Sequence, residues 1–158
     1  MTSKRFVRVL ALVGVLCLCD LASASRIAYS VTNLGLVWGE SASANRINRT
    51  GDVVGFLWTA SEGPHGFLWN RVNGMRDLGT FGGKESTAFG LNDLGDVAGQ
   101  WVAADGKQYA FLWNATDGMR SLGTIGGTGE RSHAWAVNDS RQVVGWCILQ
   151  GWQAYDPY

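Results

Sequence analysis

The stretch from residue 78 to residue 113 decides the fold, because it holds four short blocks that recur elsewhere in the chain in the same order. The blocks are Leu78-Gly-Thr-Phe-Gly-Gly83, Ala88-Phe-Gly-Leu-Asn92, Gly95-Asp-Val-Ala-Gly99 and Phe111-Leu-Trp113. The copies lie 44 residues away, or 46 after a two-residue insertion that follows Gly127. A period of this length is typical of solenoids, propellers and similar arrays.

The recurrence extends over three units of the chain. The matching copies are Leu34-Gly35 and Leu122-Gly-Thr-Ile-Gly-Gly127, Ala44-Asn-Arg-Ile-Asn48 and Ala134-Trp-Ala-Val-Asn138, Gly51-Asp-Val-Val-Gly55 and Arg141-Gln-Val-Val-Gly145, and Phe67-Leu-Trp69. Met75-Arg-Asp-Leu78 also returns as Met119-Arg-Ser-Leu122. Because the blocks keep one order, they indicate a repeated structural unit rather than chance similarity.

Each unit is predicted to contain four short strands, because its apolar stretches are three to six residues long and are separated by Gly, Asn and Asp. In the second unit the strands are expected at 87–92, 96–102, 109–114 and 118–123. Asn92 and Gly95 predict a hairpin turn, since Asn starts a turn through its side chain and Gly accepts positive φ. In the third unit Arg141 replaces the glycine. A left-handed non-glycine residue costs on the order of 1–2 kcal/mol, so we expect a looser or differently built turn there.

The blocks resemble the HAF-type extracellular repeat of secreted bacterial proteins. His65-Gly-Phe-Leu-Trp69 carries the naming motif with one change, and Tyr109-Ala-Phe-Leu-Trp113 keeps all of it except the His. The likeness covers residues 27–155. It implies export and a β-rich repeat array, and it implies no catalytic residues. Members of that family are usually longer, which leaves open that this chain is a degenerate fragment of a longer repeat protein.

The predicted fold class is therefore all-β, a repeat protein of four-stranded units of 44 residues that resemble propeller blades. Propellers have at least about four blades, and this chain has three units. Three arrangements stay open: part of a larger ring completed by self-association, a compact three-fold β-trefoil or β-prism, and an open fragment.

The first 24 residues have the pattern of a secretory signal peptide. Lys4, Arg5 and Arg8 precede the apolar run 9–19, and Ala22-Ser-Ala24 supplies a cleavage site. We expect cleavage near Ala24, a single β-repeat domain at 25–158 without a membrane anchor, and a secreted or periplasmic location. The mature chain would carry 10 basic and 12 acidic residues, and this balance argues against nucleic acid as a partner.

The chain has 8 Trp, a number that suggests stacking on sugars, but most of them occupy strand positions. We predict that Trp69 and Trp113 lie in the core, because they share one position of the repeat, and that Trp58, Trp135 and Trp146 do likewise. Trp101 and Trp152 are the better candidates for exposure.

The candidate ligand-binding residues are Asp93, Asp96, Trp101 and Asp105, in loops that we expect to share one rim of the scaffold. Asp93 and Asp96 also offer oxygen ligands to calcium. However, this loop is shorter than the calcium-binding loop of an EF-hand and supplies few oxygen ligands. No other cofactor is expected.

The leading functional hypothesis is an exported, non-enzymatic binding or scaffolding module for a glycan or another cell-surface ligand. No catalytic or metal-binding constellation accompanies the repeat. The alternative is a carbohydrate-active enzyme that uses Glu85 and Glu130, which both follow a double glycine and would suit glycoside cleavage if paired.

Overall fold

The computed structural model describes residues 29–36, 41–60, 63–125 and 131–148. The predicted signal peptide at 1–24, Glu130 and Trp152 lie outside the described residues. The described part is built from β-strands, which confirms the all-β prediction. In that part of the chain, no helix is long and apolar enough to cross a membrane.

The described residues form ten strands. In chain order they are β1 (Ser41–Ile47), β2 (Val53–Thr59), β3 (Gly63–Asn70), β4 (Gly74–Asp77), β5 (Glu85–Leu91), β6 (Val97–Val102), β7 (Gln108–Asn114), β8 (Gly118–Gly123), β9 (Arg131–Val137) and β10 (Val143–Ile148). β5 to β8 match the four strands predicted for the second unit to within two residues.

The strands form two sheets. β1 to β4 make an antiparallel sheet in sequence order. β5 to β8 are paired in the same order, and the β9–β10 hairpin joins this second sheet through a single parallel bridge between Gln108 and Arg131. The first strand of each unit therefore pairs with the second in the same way three times.

Each of these three hairpins has an irregularity at the same position. The register shifts between Ala44 and Arg46, between Ala88 and Gly90, and opposite the step from Val144 to Gly145. Gly55, Gly99 and Gly145 lie opposite the shifts, and a Cβ on any of them would collide with a backbone carbonyl of the neighbouring strand. The recurring last glycine of the Gly-x-Val-Val-Gly block is thus explained by close approach of two backbones.

Two core clusters lie between consecutive units. In the first, Val54 of β2 packs with residues of the second unit, among them Ala88, Leu91 and Phe111. In the second, Ala98 and Ala110 pack with Ala134 and Val137 of the third unit. Apolar side chains of one unit are therefore buried against the next unit.

The tryptophan predictions are partly wrong. Trp113 is buried and Trp69 is half-buried against the Val53, Leu57 and Phe67 cluster. Trp58, Trp135 and Trp146 were predicted to be core residues, but their exposed fractions are 49%, 51% and 39%. Trp58 lies next to the last residue of β2. Trp135 is the extra residue at the register shift in β9. Trp146 is on the same face of β10 as the exposed Val144.

The prediction of a looser third turn is also wrong. Arg141 adopts a φ of 60°, and its N–H donates to the carbonyl of Asn138 at 2.9 Å. The equivalent bonds from Gly51 to Asn48 and from Gly95 to Asn92 are 3.2 and 3.3 Å long. The backbone of the third turn is therefore the same as that of the other two, and Arg141 takes the left-handed conformation that glycine has elsewhere.

Candidate functional site

Three hairpin turns, at residues 48–52, 92–96 and 138–142, stand side by side and form what we name the turn ladder. In each turn the side-chain oxygen of the first Asn accepts the N–H of the residue four positions later. The three bonds, from Asp52 to Asn48, from Asp96 to Asn92 and from Gln142 to Asn138, are 2.8, 2.7 and 2.8 Å long. This explains why Asn stands at the start of every copy, because its side chain closes the turn internally.

The same asparagines connect each turn to the next. Nδ2 of Asn48 donates to the carbonyl oxygen of Asn92 at 3.0 Å, and Nδ2 of Asn92 donates to that of Asn138 at 3.0 Å. In parallel, the backbone N–H of Arg49 donates to Asp93 at 2.9 Å, and that of Asp93 donates to Asp139 at 2.9 Å. The same two hydrogen bonds thus recur between each neighbouring pair of turns.

An ion pair holds the last two turns together from the side. Nε of Arg141 donates to Oδ2 of Asp96 at 3.1 Å, with side-chain exposures of 60% and 1%. The same Asp96 oxygen accepts a bond from Asn92 at 2.8 Å. Because a buried carboxylate needs charged or hydrogen-bonding partners, Arg141 supplies a partner that a glycine at this position would not.

Arg49 and Asp93 form a second ion pair at the exposed surface of the ladder. The backbone N–H of Arg49, and then its guanidinium, lower the pKa of Asp93 below its ordinary value. The hydrogen bond to Asp93 likewise raises the pKa of Arg49, and Asp139 adds to this effect. At this position the first turn therefore presents a positive charge, and the second and third turns present negative charges.

A groove of about 410 Å³ runs beside the turn ladder. Its walls come from the same positions of all three units. The lining residues are Arg46, Ile47, Asn48, Arg49, Leu91, Asn92, Asp93, Val137, Asn138 and Asp139. Arginines stand at the end formed by the first unit and carboxylates at the end formed by the second and third.

The structure separates the four predicted ligand-binding residues into two places. Asp93 lines the groove, and Asp96 is buried beneath it. Trp101 lies near the other end of β6, half-buried against Phe81 and Tyr109 with ring centroids 5.1 and 5.6 Å away. Asp105 is exposed in the following turn, where its side chain accepts the N–H of Lys107 at 3.0 Å.

The oxygen atoms that were candidates for calcium are largely engaged by protein partners, since Asp96 holds Asn92 and Arg141 while Asp93 holds Arg49. Among the described residues, no group of three or more His, Cys, Asp or Glu side chains is arranged to hold a metal ion. Glu85 is exposed at the start of β5. Its proposed catalytic partner, Glu130, lies outside the described residues.

Sequence reasoning missed the contributions of Arg46, Arg49, Asp139 and Arg141. A signal for two of them was present, because Arg49, Asp93 and Asp139 occupy one position of the repeat directly after the turn Asn. Arg141 was interpreted only as a lost glycine, since its partner Asp96 lies 45 residues away and no local pattern connects the two.

A second cluster is aromatic and lies on β9 and β10. His133 has 6% exposure, its ring centroid lies 4.0 Å from that of Trp135, and it stacks on Trp146 at 5.7 Å with an interplanar angle of 16°. Burial lowers the pKa of His133 below its ordinary value. Phe89, from the second unit, contacts the same ring at 4.5 Å.

The described residues thus form a polar groove along the turn ladder and an aromatic cluster on the last hairpin. The groove combines donors from Arg46 and Arg49 with acceptors from Asp139. No protein-family model, curated protein or solved structure matches this chain.

Proposed function

We propose that this chain is an exported, non-enzymatic β-repeat module that binds a polar extracellular ligand, such as a glycan, in the groove beside the turn ladder. The observation that carries the proposal is the origin of the groove walls, which come from one position of three consecutive hairpins. Rigid scaffolds commonly present their ligand contacts on such turns. The HAF-type resemblance supports the same class of function and the export.

Stacking of blade-like units is part of this proposal, and recurring hydrogen bonds support it. Oγ of Ser86 accepts the N–H of Gly66 at 2.8 Å and donates to the carbonyl of Gly79 at 2.5 Å. Oγ of Ser132 likewise accepts the N–H of Ala110 at 2.8 Å and donates to the carbonyl of Gly123. In the second and third units, one serine therefore joins the first strand to the third strand of the preceding unit and to a carbonyl at or just after that unit's fourth strand.

The chemistry of the groove favours a ligand with many hydroxyl groups. Arginine side chains offer several donors in a fixed plane, while carboxylates accept, so sugar hydroxyls would find partners of both kinds. Asp93 and Asp96 already hold protein groups. This favours a structural and binding role for them over proton transfer.

A glycan array with the mature chain, followed by calorimetry on the best polysaccharide, tests the binding proposal. Arg46→Gln removes a charged donor from the groove wall, and Arg71→Gln makes the same change in the exposed β3–β4 turn. We expect Arg46→Gln to weaken binding at least tenfold, since charge-assisted bonds contribute about 1.5–3 kcal/mol, and Arg71→Gln to leave it unchanged. An array without hits, or equal loss in both variants, would reject the groove as the site.

Export has its own test. Mass spectrometry of the protein from the culture medium or periplasm should give a chain that begins at Ser25. A full-length chain retained in the cytoplasm would reject the secreted location.

A further inference from the structure

The two ends of the stack expose the positions that are buried between its units. Val54 of the first unit and Ala98 of the second are both 0% exposed, because the next unit covers them. The third residue in this position of the repeat, Val144, is 63% exposed. We name its surroundings, Trp135, Val144, Trp146 and Ile148, the back face.

The opposite end shows the complementary pattern. Leu91 and Val137 are 6% and 8% exposed, because each packs against the preceding unit. Ile47, which has the same position in the first unit, is 66% exposed. We name the surface formed by Ala42, Ala44, Ile47 and Met75, with the buried Phe67 beneath it, the front face.

The front face also contains a cavity of about 450 Å³, which is lined by Leu34, Ala42, Ala44, Phe67 and Met75 among others. In the second unit the equivalent positions are Leu78, Ser86, Ala88, Phe111 and Met119. There Ala88, Phe111 and Met119 form one buried cluster with Val54, against which Leu78 packs. The cavity is thus the counterpart of a site that, one unit along, is filled by a residue equivalent to Val144.

We propose that a second copy of this chain docks head to tail, with the back face of one copy on the front face of the other and Val144 in the front-face cavity. The contact would repeat the two seams that already exist within the chain. It goes beyond the proposed ligand groove and does not depend on what that groove binds.

The polar groups of the turn ladder fit the same docking. Nδ2 of Asn138 donates to Gln142 at 2.7 Å, and an amide nitrogen has a second proton to give. The carbonyl of Asn48 accepts the N–H of Gly51 at 3.2 Å, and a carbonyl has a second lone pair. Docking would therefore add a third Asn-to-Asn bond to the ladder and would place Asp139 beside Arg49 of the other copy, with opposite charges.

The experiment is the absolute mass of the mature chain by light scattering over a concentration series. The wild type should have at least twice the mass of one chain. Val144→Glu, on the back face, and Ala44→Glu, on the front face, should each give a single-chain mass, whereas Val72→Glu, at a 90% exposed turn residue, should behave as the wild type. A cooperative thermal unfolding transition, measured for each variant, would establish that the variant is folded.

Mixing the two monomeric variants distinguishes head-to-tail docking from association through one symmetric patch. The Ala44→Glu chain keeps an intact back face and the Val144→Glu chain keeps an intact front face, so their equimolar mixture should form a dimer. A single-chain mass for the wild type overturns the proposal. An equimolar mixture that stays monomeric also overturns it. The same holds if either variant, measured alone, still has more than a single-chain mass.

A cysteine pair gives a second readout that needs no charged substitution. In a Cys147→Ser background, we expect Val144→Cys and Ala44→Cys chains to form a disulfide-linked heterodimer when they are mixed and mildly oxidised. Neither chain alone should do so, because each lacks the partner thiol across the seam. Equal cross-linking in the mixture and in the separate chains would contradict the head-to-tail arrangement.

Discussion

The side-chain amide of Asn48 donates to the carbonyl oxygen of Asn92, 44 positions along the chain, at 3.0 Å. Asn92 makes the same bond to Asn138 at 3.0 Å. Each of these side chains also closes its own turn. One residue type therefore shapes the turn within a unit and fastens that unit to the next.

Asn92→Ala should strongly destabilise the protein, because Asn92 is 4% exposed and its side-chain oxygen accepts the N–H of the buried Asp96. Its side-chain amide also donates to the Asp96 carboxylate and to the carbonyl of Asn138. An unmet buried group costs about 1–3 kcal/mol and each lost hydrogen bond about 1 kcal/mol, so we expect a loss of about 3 kcal/mol in the free energy of unfolding. Asn138→Ala, at the same position of an exposed turn, should cost about 1 kcal/mol. Urea denaturation measures both, and equal losses would contradict the role of the ladder.

Arg141→Gly should destabilise the protein even though it restores the glycine of the other turns. Glycine relieves a left-handed conformation that costs about 1–2 kcal/mol. It also removes a charge-assisted bond to Asp96, which is worth about 1.5–3 kcal/mol, and it adds unfolded-state entropy of about 0.5–1 kcal/mol. The expected net loss is about 1 kcal/mol.

The same substitution in an Asp96→Asn background tests whether loss of the bond to Asp96 causes the destabilisation. Without the buried carboxylate, Arg141→Gly should be neutral or stabilising, and the coupling energy from the double-mutant cycle should exceed about 1 kcal/mol. Additive effects would show that the ion pair does not compensate for the strained turn.

Gly99→Ala should lower the melting temperature far more than Gly106→Ala. A Cβ at Gly99 would collide with the carbonyl of Thr87 and the ring of Phe111, whereas at Gly106 it would meet nothing within 4 Å. Overpacking typically costs about 1–3 kcal/mol, and Gly106→Ala should cost about 1 kcal/mol because its φ is +84°. Differential scanning calorimetry checks the order, and a reversed order would contradict the close approach of β5 and β6.

Protonation of His133 should destabilise the fold at mildly acidic pH. Burial lowers its pKa below the ordinary value of 6.5, so the unfolded chain takes up this proton at a higher pH than the folded chain does. Its contribution to stability is complete above about pH 6.5 and is lost as the pH falls towards the lower folded-state pKa. Below that pKa it stays lost.

His133→Phe isolates this effect, because it keeps a ring beside Trp135 and Trp146 and removes the titrating group. The difference in free energy of unfolding between wild type and variant, measured by urea denaturation from pH 8 to pH 4, should change over the interval just below pH 6.5 in favour of the variant. A difference that does not vary with pH would contradict burial of the neutral imidazole.

The strands and turns were predictable because they depend on short patterns. Asn92 and Gly95 mark a turn, and the apolar runs on either side are too short for helices, so the bounds of β5 to β8 lie within two residues of the prediction. The recurrence of a glycine at position 99 was visible in the sequence as well. The reason for it, the close approach of Gly99 to the preceding strand of the same hairpin, is evident only from the register shift near Phe89.

Features that depend on the next unit were not predictable. Trp146 and Gln100 occupy the same position of the repeat, yet whether such a residue is covered depends on what stands beside its sheet. The pairing of Arg141 with Asp96 likewise joins residues 45 positions apart. The sequence pattern places Asp93 in a turn, but its partner Arg49 comes from the unit before it.

Asparagine side chains join consecutive hairpin turns, and NMR can detect these contacts in solution. We expect nuclear Overhauser contacts from the side-chain amide protons of Asn48 to the backbone amides next to Asn92, and from those of Asn92 to the backbone next to Asn138. We also expect slow exchange of the Asn92 side-chain amide protons. Contacts confined to each turn, with fast-exchanging Asn92 side-chain amide protons, would contradict this arrangement.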